Sequence, residues 1–303
     1  MYSYCVATGE VEYIPPAETE TYSDETGGFS PGYNPYAGED YNGEDLVEPY
    51  YLDHGRTLVE YPYNNEMCRN TVYIQTTYTD SKTGIKFISN GTGFMIGPNA
   101  VATAGHIVYK RGEPDGDFFV GNATVVPAHN AGANSHPYGA AHATYFYCGG
   151  GWAYNGDYSD DWGIIELDTN IGNKTGWLGL QWQKSYKSGT SVRENGYPAE
   201  VNGQINKSPI TGDRDQYIRY GTVKSSSKTN MLESTDMFAS SGDSGGPCYI
   251  YSSDAGYTAI GIASYVDAVE IEENEVKDIN SVMFRTIDKS LFEKLVKYRT
   301  STL

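Results

Sequence analysis

The chain has 303 residues, of which 39% are hydrophobic, and 39 Asp and Glu against 21 Lys and Arg give it a formal net charge of −18. This acidic balance argues against nucleic acid and anionic lipid as partners, because both are bound through a basic face. No run of about 18 apolar residues occurs, so no membrane span is expected.

Residues 1–50 differ in composition from the rest of the chain. They contain eleven Asp and Glu, eight Tyr and no Lys or Arg, so they supply −11 of the net charge and leave −7 for residues 51–303. No helical or strand periodicity persists along them. Two interpretations stay open: a disordered acidic tail, or a propeptide that lies on the domain that follows. We expect one larger domain over residues 51–303.

From about residue 71 the sequence divides into short runs of β-branched and aromatic residues separated by turn residues. Many short strands at this spacing predict an all-β sandwich or barrel architecture. Only the end of the chain has helical periodicity, because Ile287, Leu291 and Leu295 recur at i, i+4 and i+8. The predicted strands cover residues 71–78, 84–88, 93–98, 118–126, 143–147, 163–167, 191–197, 217–223, 247–251, 259–265 and 281–285.

The cysteine spacing gives no sign of a metal site, because no C-x-x-C pair is present. One or two disulfides would fit an extracellular protein. Four buried thiols are the alternative, and the sequence alone does not choose between them. The four cysteines are Cys5, Cys68, Cys148 and Cys248.

Three segments carry the residue types of nucleophilic catalysis. His106 follows an apolar run, Asp160 and Asp161 precede the apolar run 162–167, and residues 240–247 read Ser-Ser-Gly-Asp-Ser-Gly-Gly-Pro. A serine hydroxyl needs a base to take its proton, and histidine suits this role because it titrates near neutral pH. A carboxylate then fixes the histidine tautomer, and backbone N–H groups beside small residues stabilise the oxyanion.

At these segments the chain resembles the chymotrypsin-like serine peptidases, whose triad runs in the order histidine, aspartate, serine. It is most similar to their bacterial glutamyl-endopeptidase-like branch. Residues 53–57 and 61–63, 91–106 and 196–198 carry that similarity, which extends over roughly residues 53–298.

The resemblance implies two antiparallel six-stranded β-barrels with a C-terminal helix, barrel one over about residues 60–175 and barrel two over about 176–303. It implies a serine endopeptidase that acts on protein or peptide substrates through an acyl-enzyme and needs no cofactor. A secreted protein is expected, although the first residues do not read as a signal peptide. A monomer is the default state. A protease-like binding or adhesion module and a latent zymogen are the alternatives.

The family motifs assign roles to individual residues. Ser244 would be the nucleophile, His106 the general base and Asp161 its orienting acid. The N–H groups of Gly242 and Ser244 would form the oxyanion hole. Ser264 would support the buried carboxylate and pair with the substrate backbone.

The specificity pocket departs from the glutamyl branch. Those enzymes typically hold the substrate carboxylate with a histidine and a hydroxyl, and the matching positions in this chain are Ala263 and Ala239. Because an acidic side chain buried without partners is destabilised, the sequence predicts an uncharged P1 residue. A cation from a flanking loop is the alternative. The predicted substrate-binding residues are Phe238, Ala239, Ala263, Ser264, Tyr265 and Val266.

Asp243 is a second departure, since the glutamyl branch usually has Asn before its serine. A buried aspartate needs a positive partner. The candidates are a new N-terminus made by cleavage near residues 48–53 and the side chain of Arg193. Alternatively, Asp243 accepts backbone hydrogen bonds alone.

Overall fold

The structure is a computed structural model that describes residues 1–15, 27–36, 56–80, 83–113, 116–131, 135–201, 204–206, 214–272 and 275–299. Strands dominate it, as the β-branched and aromatic runs predict. The helices are short: α1 (Glu66–Arg69), α2 (Gly105–Val108), α3 (Gly150–Asn155), α4 (Gly172–Thr175) and α5 (Lys289–Arg299).

The strands in chain order are β1 (Tyr2–Cys5), β2 (Val11–Tyr13), β3 (Gly27–Ser30), β4 (Arg56–Leu58), β5 (Thr71–Thr79), β6 (Lys86–Met95), β7 (Ala100–Thr103), β8 (Tyr109–Glu113), β9 (Gly116–Phe119), β10 (Asn122–Pro127), β11 (Ala141–Cys148), β12 (Gly163–Leu167), β13 (Gly179–Gln183), β14 (Thr190–Gly196), β15 (Glu200–Val201), β16 (Gln204–Ile205), β17 (Tyr217–Ser225), β18 (Met231–Ser234), β19 (Pro247–Ser252), β20 (Gly256–Glu272) and β21 (Glu275–Thr286).

Barrel one is a closed ring of six strands. Its order is β10, β5, β6, β7, β12 and β11, and pairing of β10 with β11 closes it. Apolar side chains such as Val72, Ile74, Phe94 and Ile165 are fully buried inside. Closure leaves no unpaired sheet edge within the ring.

Barrel two repeats this design in the second half of the chain. Its order is β19, β14, β17, β18, β21 and β20, and β19 pairs with β20 to close it. Val192, Leu232, Ile260 and Phe284 are among its buried core residues. The prediction of two antiparallel six-stranded barrels is therefore confirmed.

The C-terminal helix is also confirmed, although it begins at Lys289, two residues later than the periodicity indicated. Ile287, Leu291 and Leu295 are at most 1% exposed. At the end of α5 the guanidinium of Arg299 donates to the carbonyl of Ile96 in barrel one at 2.5 Å. It also donates to Pro31 of the N-terminal segment at 2.7 Å.

The N-terminal segment packs on both barrels where it is described. β1 pairs with β11 of barrel one, and β3 pairs with β13, which in turn pairs with β20 of barrel two. The interpretation as a disordered tail is therefore wrong for residues 1–15 and 27–36. The remaining positions, 16–26 and 37–50, lie outside the described residues, and a role as propeptide stays a prediction.

Some strands differ from their sequence predictions. The two runs 84–88 and 93–98 form one continuous strand, β6, which pairs along its length with β5. Ten further strands were not predicted. They have only two to five residues each, too few for an alternating pattern to stand out from the flanking turns. These strands are β1 to β4, β7, β8, β13, β15, β16 and β18.

All four cysteines are free thiols, but only three of them are buried as the second alternative expected, because Cys5 is half-buried. Cys68, Cys148 and Cys248 are fully buried. Burial raises the pKa of Cys68 to about 12, so this thiol stays protonated near neutral pH. Within the described ranges, no helix combines the length and the apolar character needed to cross a membrane.

Candidate active site

His106 and Asp161 are brought together by the pairing of β7 with β12. His106 lies in α2 directly after β7, and Asp161 lies just before β12, so the register Gly163 to Thr103 sets both at the same end of the sheet. His106 Nδ1 is 2.9 Å from Asp161 Oδ2. The backbone N–H of His106 donates to Asp161 Oδ1, also at 2.9 Å.

The Asp161 carboxylate is fully buried and has a third partner from barrel two. Ser264 Oγ in β20 donates to Asp161 Oδ2 at 2.5 Å. A buried carboxylate needs such donors, and hydrogen bonds to an ionised acceptor are stronger than neutral ones. The contact therefore joins the barrels directly behind His106, whose side chain is 26% exposed.

Asp160, the neighbouring carboxylate, has different hydrogen-bond partners. Its Oδ2 accepts the N–H of Gly151 at 2.7 Å, and its Oδ1 accepts the indole N–H of Trp162 at 2.5 Å. Asp160 therefore supports the loop around α3, and Asp161 alone of this pair contacts His106.

Ser244 lies in the turn of residues 240–246 before β19, which we call the serine turn. The main chain of this turn is held by both barrels. Thr92 of β6 donates its N–H to Ser244 O at 2.9 Å. The next residue, Gly245, donates to Ala263 O of β20 at 2.7 Å. Gly245 has a φ of +88° and a Cβ there would overlap Thr103 Oγ1, so only glycine lets the serine turn lie this close to the strand that leads to His106.

Gly242 is the second glycine of the turn with a positive φ. Its φ is +98°, and a Cβ would overlap Tyr197 O and the guanidinium of Arg214. Its carbonyl accepts Thr92 Oγ1 at 2.7 Å. Among the described residues, the N–H groups of Gly242 and Ser244 donate to no backbone acceptor.

Asp243, between these two donors, is 2% exposed and forms an ion pair that sequence reasoning missed. Arg56 Nη2 lies 2.5 Å from Asp243 Oδ2, and Arg219 Nη1 lies 3.5 Å from the same oxygen. Arg193 was one of the two candidate partners, and this candidate is wrong: its guanidinium donates to Tyr257 Oη at 3.2 Å. Arg56 falls within residues 53–57, which resemble the glutamyl-endopeptidase-like branch. This resemblance was the one sequence signal that could have drawn attention to Arg56.

Arg219 carries a second buried pair. Its Nε donates to Glu194 Oε2 at 2.6 Å, and both side chains are at most 1% exposed. Burial raises the pKa of Glu194, and Arg219 acts in the opposite direction by pairing with its carboxylate. Together with Arg56 and Asp243, the cluster holds two cations and two anions.

The predicted pocket residues lie together on barrel two. Ala239 and Ala263 are 8% and 3% exposed. Both belong to the apolar core of barrel two, and Val266 packs against this core. The Arg56 guanidinium lies 5.4 Å from the centre of the Phe238 ring. No acidic or basic side chain occurs among the six predicted pocket residues.

An aromatic row that sequence reasoning missed connects the barrels beside His106. The Trp152 ring lies 5.9 Å from the His106 ring and 5.3 Å from Tyr158. Tyr158 in turn lies 4.2 Å from Tyr265, the pocket residue after Ser264. Burial and the nearby Asp161 charge raise the pKa of the Tyr158 phenol.

In the described part of the chain, His, Cys, Asp and Glu side chains form no group of three or more that could hold a metal ion. His106, Asp161 and the serine turn have the residue types that nucleophilic catalysis uses: a serine hydroxyl, an imidazole bonded to a buried carboxylate, and backbone N–H groups beside glycines.

Curated relatives match parts of this chain. It is 41% identical over 113 residues to the glutamyl endopeptidase of Bacillus licheniformis, covering 37% of this chain and 34% of that protein. It is 31% identical over 179 residues to the extracellular metalloprotease of Bacillus subtilis, covering 56% and 49%. The chain therefore spans about a third and about half of the length of these relatives.

Solved structures share the fold. A Glu endopeptidase in complex with MPD has a TM-score of 0.62 at 22% identity, covering 82% of this chain and 97% of its own. The protease Anisep from Arthrobacter nicotinovorans has a TM-score of 0.58 at 20% identity, covering 81% and 100%. The family model described as Trypsin matches residues 71–281, more than half of the chain. The chain thus belongs to the Trypsin family.

Proposed function

We propose that this chain is a serine endopeptidase with Ser244 as nucleophile, His106 as general base and Asp161 as the orienting acid. The observation that carries the proposal is the buried Asp161 carboxylate, which accepts from His106 and from Ser264 beside the serine turn. Membership of a serine peptidase family supports the same chemistry.

In the proposed reaction, Ser244 Oγ attacks the peptide carbonyl while His106 Nε2 takes its proton. Asp161, bonded to Nδ1, keeps the imidazole in the tautomer that leaves Nε2 free and stabilises the imidazolium. The N–H groups of Gly242 and Ser244 bind the oxyanion. His106 then protonates the leaving amine, and a water molecule hydrolyses the resulting acyl-enzyme by the same steps.

We propose an uncharged P1 residue. The small side chains of Ala239 and Ala263 offer no partner to a carboxylate, whose unpaired burial is unfavourable. Of the nearby cations, Arg56 and Arg219 are balanced by Asp243 and Glu194, and Arg214 donates to the carbonyl of Tyr197. The opposing candidate is a preference for glutamate, favoured by the name of the Bacillus licheniformis relative.

We propose residues 51–303 as the peptidase domain, with barrel one over about 60–175 and barrel two over about 176–303. The strands β1 and β3 support a role for residues 1–50 as a segment that docks on this domain. Secretion is part of the proposal, in line with the Bacillus subtilis relative that is named extracellular. A latent zymogen and a binding module remain the alternatives.

The nucleophile is tested by Ser244→Ala, with Ser241→Ala, an exposed serine of the same turn, as the matched control. We expect Ser244→Ala to lower kcat by about 10⁴-fold or more, because it removes the attacking oxygen. Ser241→Ala should stay within about threefold of the wild type. Digestion of a diverse peptide mixture, read by mass spectrometry, measures both. Equal cleavage by the wild type and Ser244→Ala would exclude the assigned nucleophile.

The orienting acid is tested by the pair Asp161→Asn and Asp160→Asn. An amide at position 161 would stabilise the wrong histidine tautomer, so we expect kcat to fall by about 10⁴-fold. Asp160→Asn should keep kcat within about tenfold and lower the melting temperature, because it weakens the bonds to Gly151 and Trp162. Steady-state kinetics and thermal melts separate the two. A larger kcat loss in Asp160→Asn contradicts the assignment.

The P1 preference is tested with peptides that differ only at P1, with Gln and Glu as the matched pair. We expect kcat/KM for Gln to exceed that for Glu by about tenfold or more, since an unpaired buried polar group costs about 1–3 kcal/mol in proteins and an unpaired buried charge costs more. Leu and Phe peptides would show how large an apolar side chain the pocket accepts. Faster cleavage after Glu would reverse this part of the proposal.

A further inference from the structure

A compact group of four charged side chains lies beneath the serine turn, and we refer to Arg56, Asp243, Arg219 and Glu194 as the charge cluster. Each of the four is at most 5% exposed. The two arginines are direct neighbours across the pairing of β4 with β17. The cluster lies outside the triad, and its charges sum to zero.

Arg56 is the member that ties the cluster to the serine turn. Its Nη2 donates to Asp243 Oδ2 at 2.5 Å and to Ser240 Oγ at 3.1 Å. Its Nη1 donates to Glu200 O at 2.9 Å. One planar guanidinium therefore fixes the start of the turn, its central carboxylate and the neighbouring β15 in a single geometry.

Asp243 transmits this geometry to the oxyanion donors. Its Oδ2 also accepts the N–H of Ser240 at 2.9 Å, and its own N–H donates back to Ser240 O at 3.2 Å. The peptides on either side of Asp243 include the N–H of Ser244 and the carbonyl of Gly242. The position of the Asp243 side chain therefore restrains the peptide that carries the N–H of Ser244, and through the carbonyl of Gly242 it restrains the residue that carries the other donor.

We infer that Arg56 is a positioning residue, which holds the oxyanion donors of the serine turn through Asp243. This inference rests on the proposed peptidase function. It also gives Asp243 a partner within the folded chain. Asp243 Oδ2 is occupied by Arg56 and Ser240, and its Oδ1 packs against Gly196, where a Cβ would lie 2.5 Å away. The active turn then needs no free α-amino group as its cation.

Loss of Arg56 would leave a buried carboxylate without its closest cation. Such a charge is strongly unfavourable, so Asp243 would turn towards solvent and draw the adjacent peptides with it. Misplacing one oxyanion donor lowers kcat by about 10²- to 10³-fold in comparable sites. Because that interaction is made only in the transition state, kcat and kcat/KM should fall by the same factor.

The test compares Arg56→Met and Arg56→Lys with Arg193→Met, a matched control in the same barrel. Arg193 is a half-buried arginine that contacts Tyr257 and Met67. We expect Arg56→Met to lose about 100-fold or more in kcat with KM within about threefold. Arg56→Lys should recover about tenfold of that loss because it restores the positive charge. Arg193→Met should keep kcat within about threefold.

Circular dichroism and thermal melts establish that each variant is folded before its kinetics are compared. If Arg56→Met does not fold, the double variant Arg56→Met with Asp243→Asn removes the unpaired buried charge. The inference predicts that it folds with kcat at least about tenfold below the wild type and KM within about threefold.

Each contrary outcome has a distinct meaning. A folded Arg56→Met, or the folded double variant, with the kcat of the wild type would overturn the inference and leave the proposed function intact. So would an equal kcat loss in Arg193→Met, which would mark a general loss of stability. A folded wild type without peptidase activity would overturn the proposed function, and the inference with it.

Discussion

The burial of the Asp161 carboxylate is the constraint on which the rest of the site depends. A carboxylate without access to water must be given donors, and these come from the backbone and imidazole of His106 in barrel one and from Ser264 in barrel two. This requirement fixes the imidazole ring and the relative position of β12 and β20. The candidate site is therefore a property of the barrel contact, because neither barrel supplies all of its parts.

The serine turn is also held in one geometry, by its glycines, by Thr92 and by a buried ion pair. Gly242 and Gly245 adopt positive φ where side chains would overlap neighbouring backbone, and Thr92 binds the turn through both its N–H and its hydroxyl. Beneath it, Asp243 is balanced by Arg56. A buried ion pair contributes little net stability, but it restricts the turn to one geometry, which fits a site whose donors must be aligned before substrate arrives.

Most of the fold and the residues of the candidate site could be predicted from the sequence, because the proposed serine nucleophile, its base and its turn glycines require fixed residue types in short segments. The sequence did not reveal the features that depend on contacts between residues far apart along the chain. Arg56 and Asp243 are 187 positions apart, so nothing local identified them as a pair. The aromatic row of Trp152 and Tyr158 has no motif. The strands β1 and β3 lie in an acidic segment whose composition alone favours disorder, and pairing with the barrels overrides that tendency.

The central claim is that Ser244 is a nucleophile activated by His106. Its most direct test is labelling with a fluorophosphonate, which reacts with an activated serine, followed by intact mass measurement and peptide mapping of the wild type and His106→Ala. The account predicts a single adduct on Ser244 in the wild type and none in the folded variant. A folded wild type that takes no label, or takes it on another serine, would contradict the account.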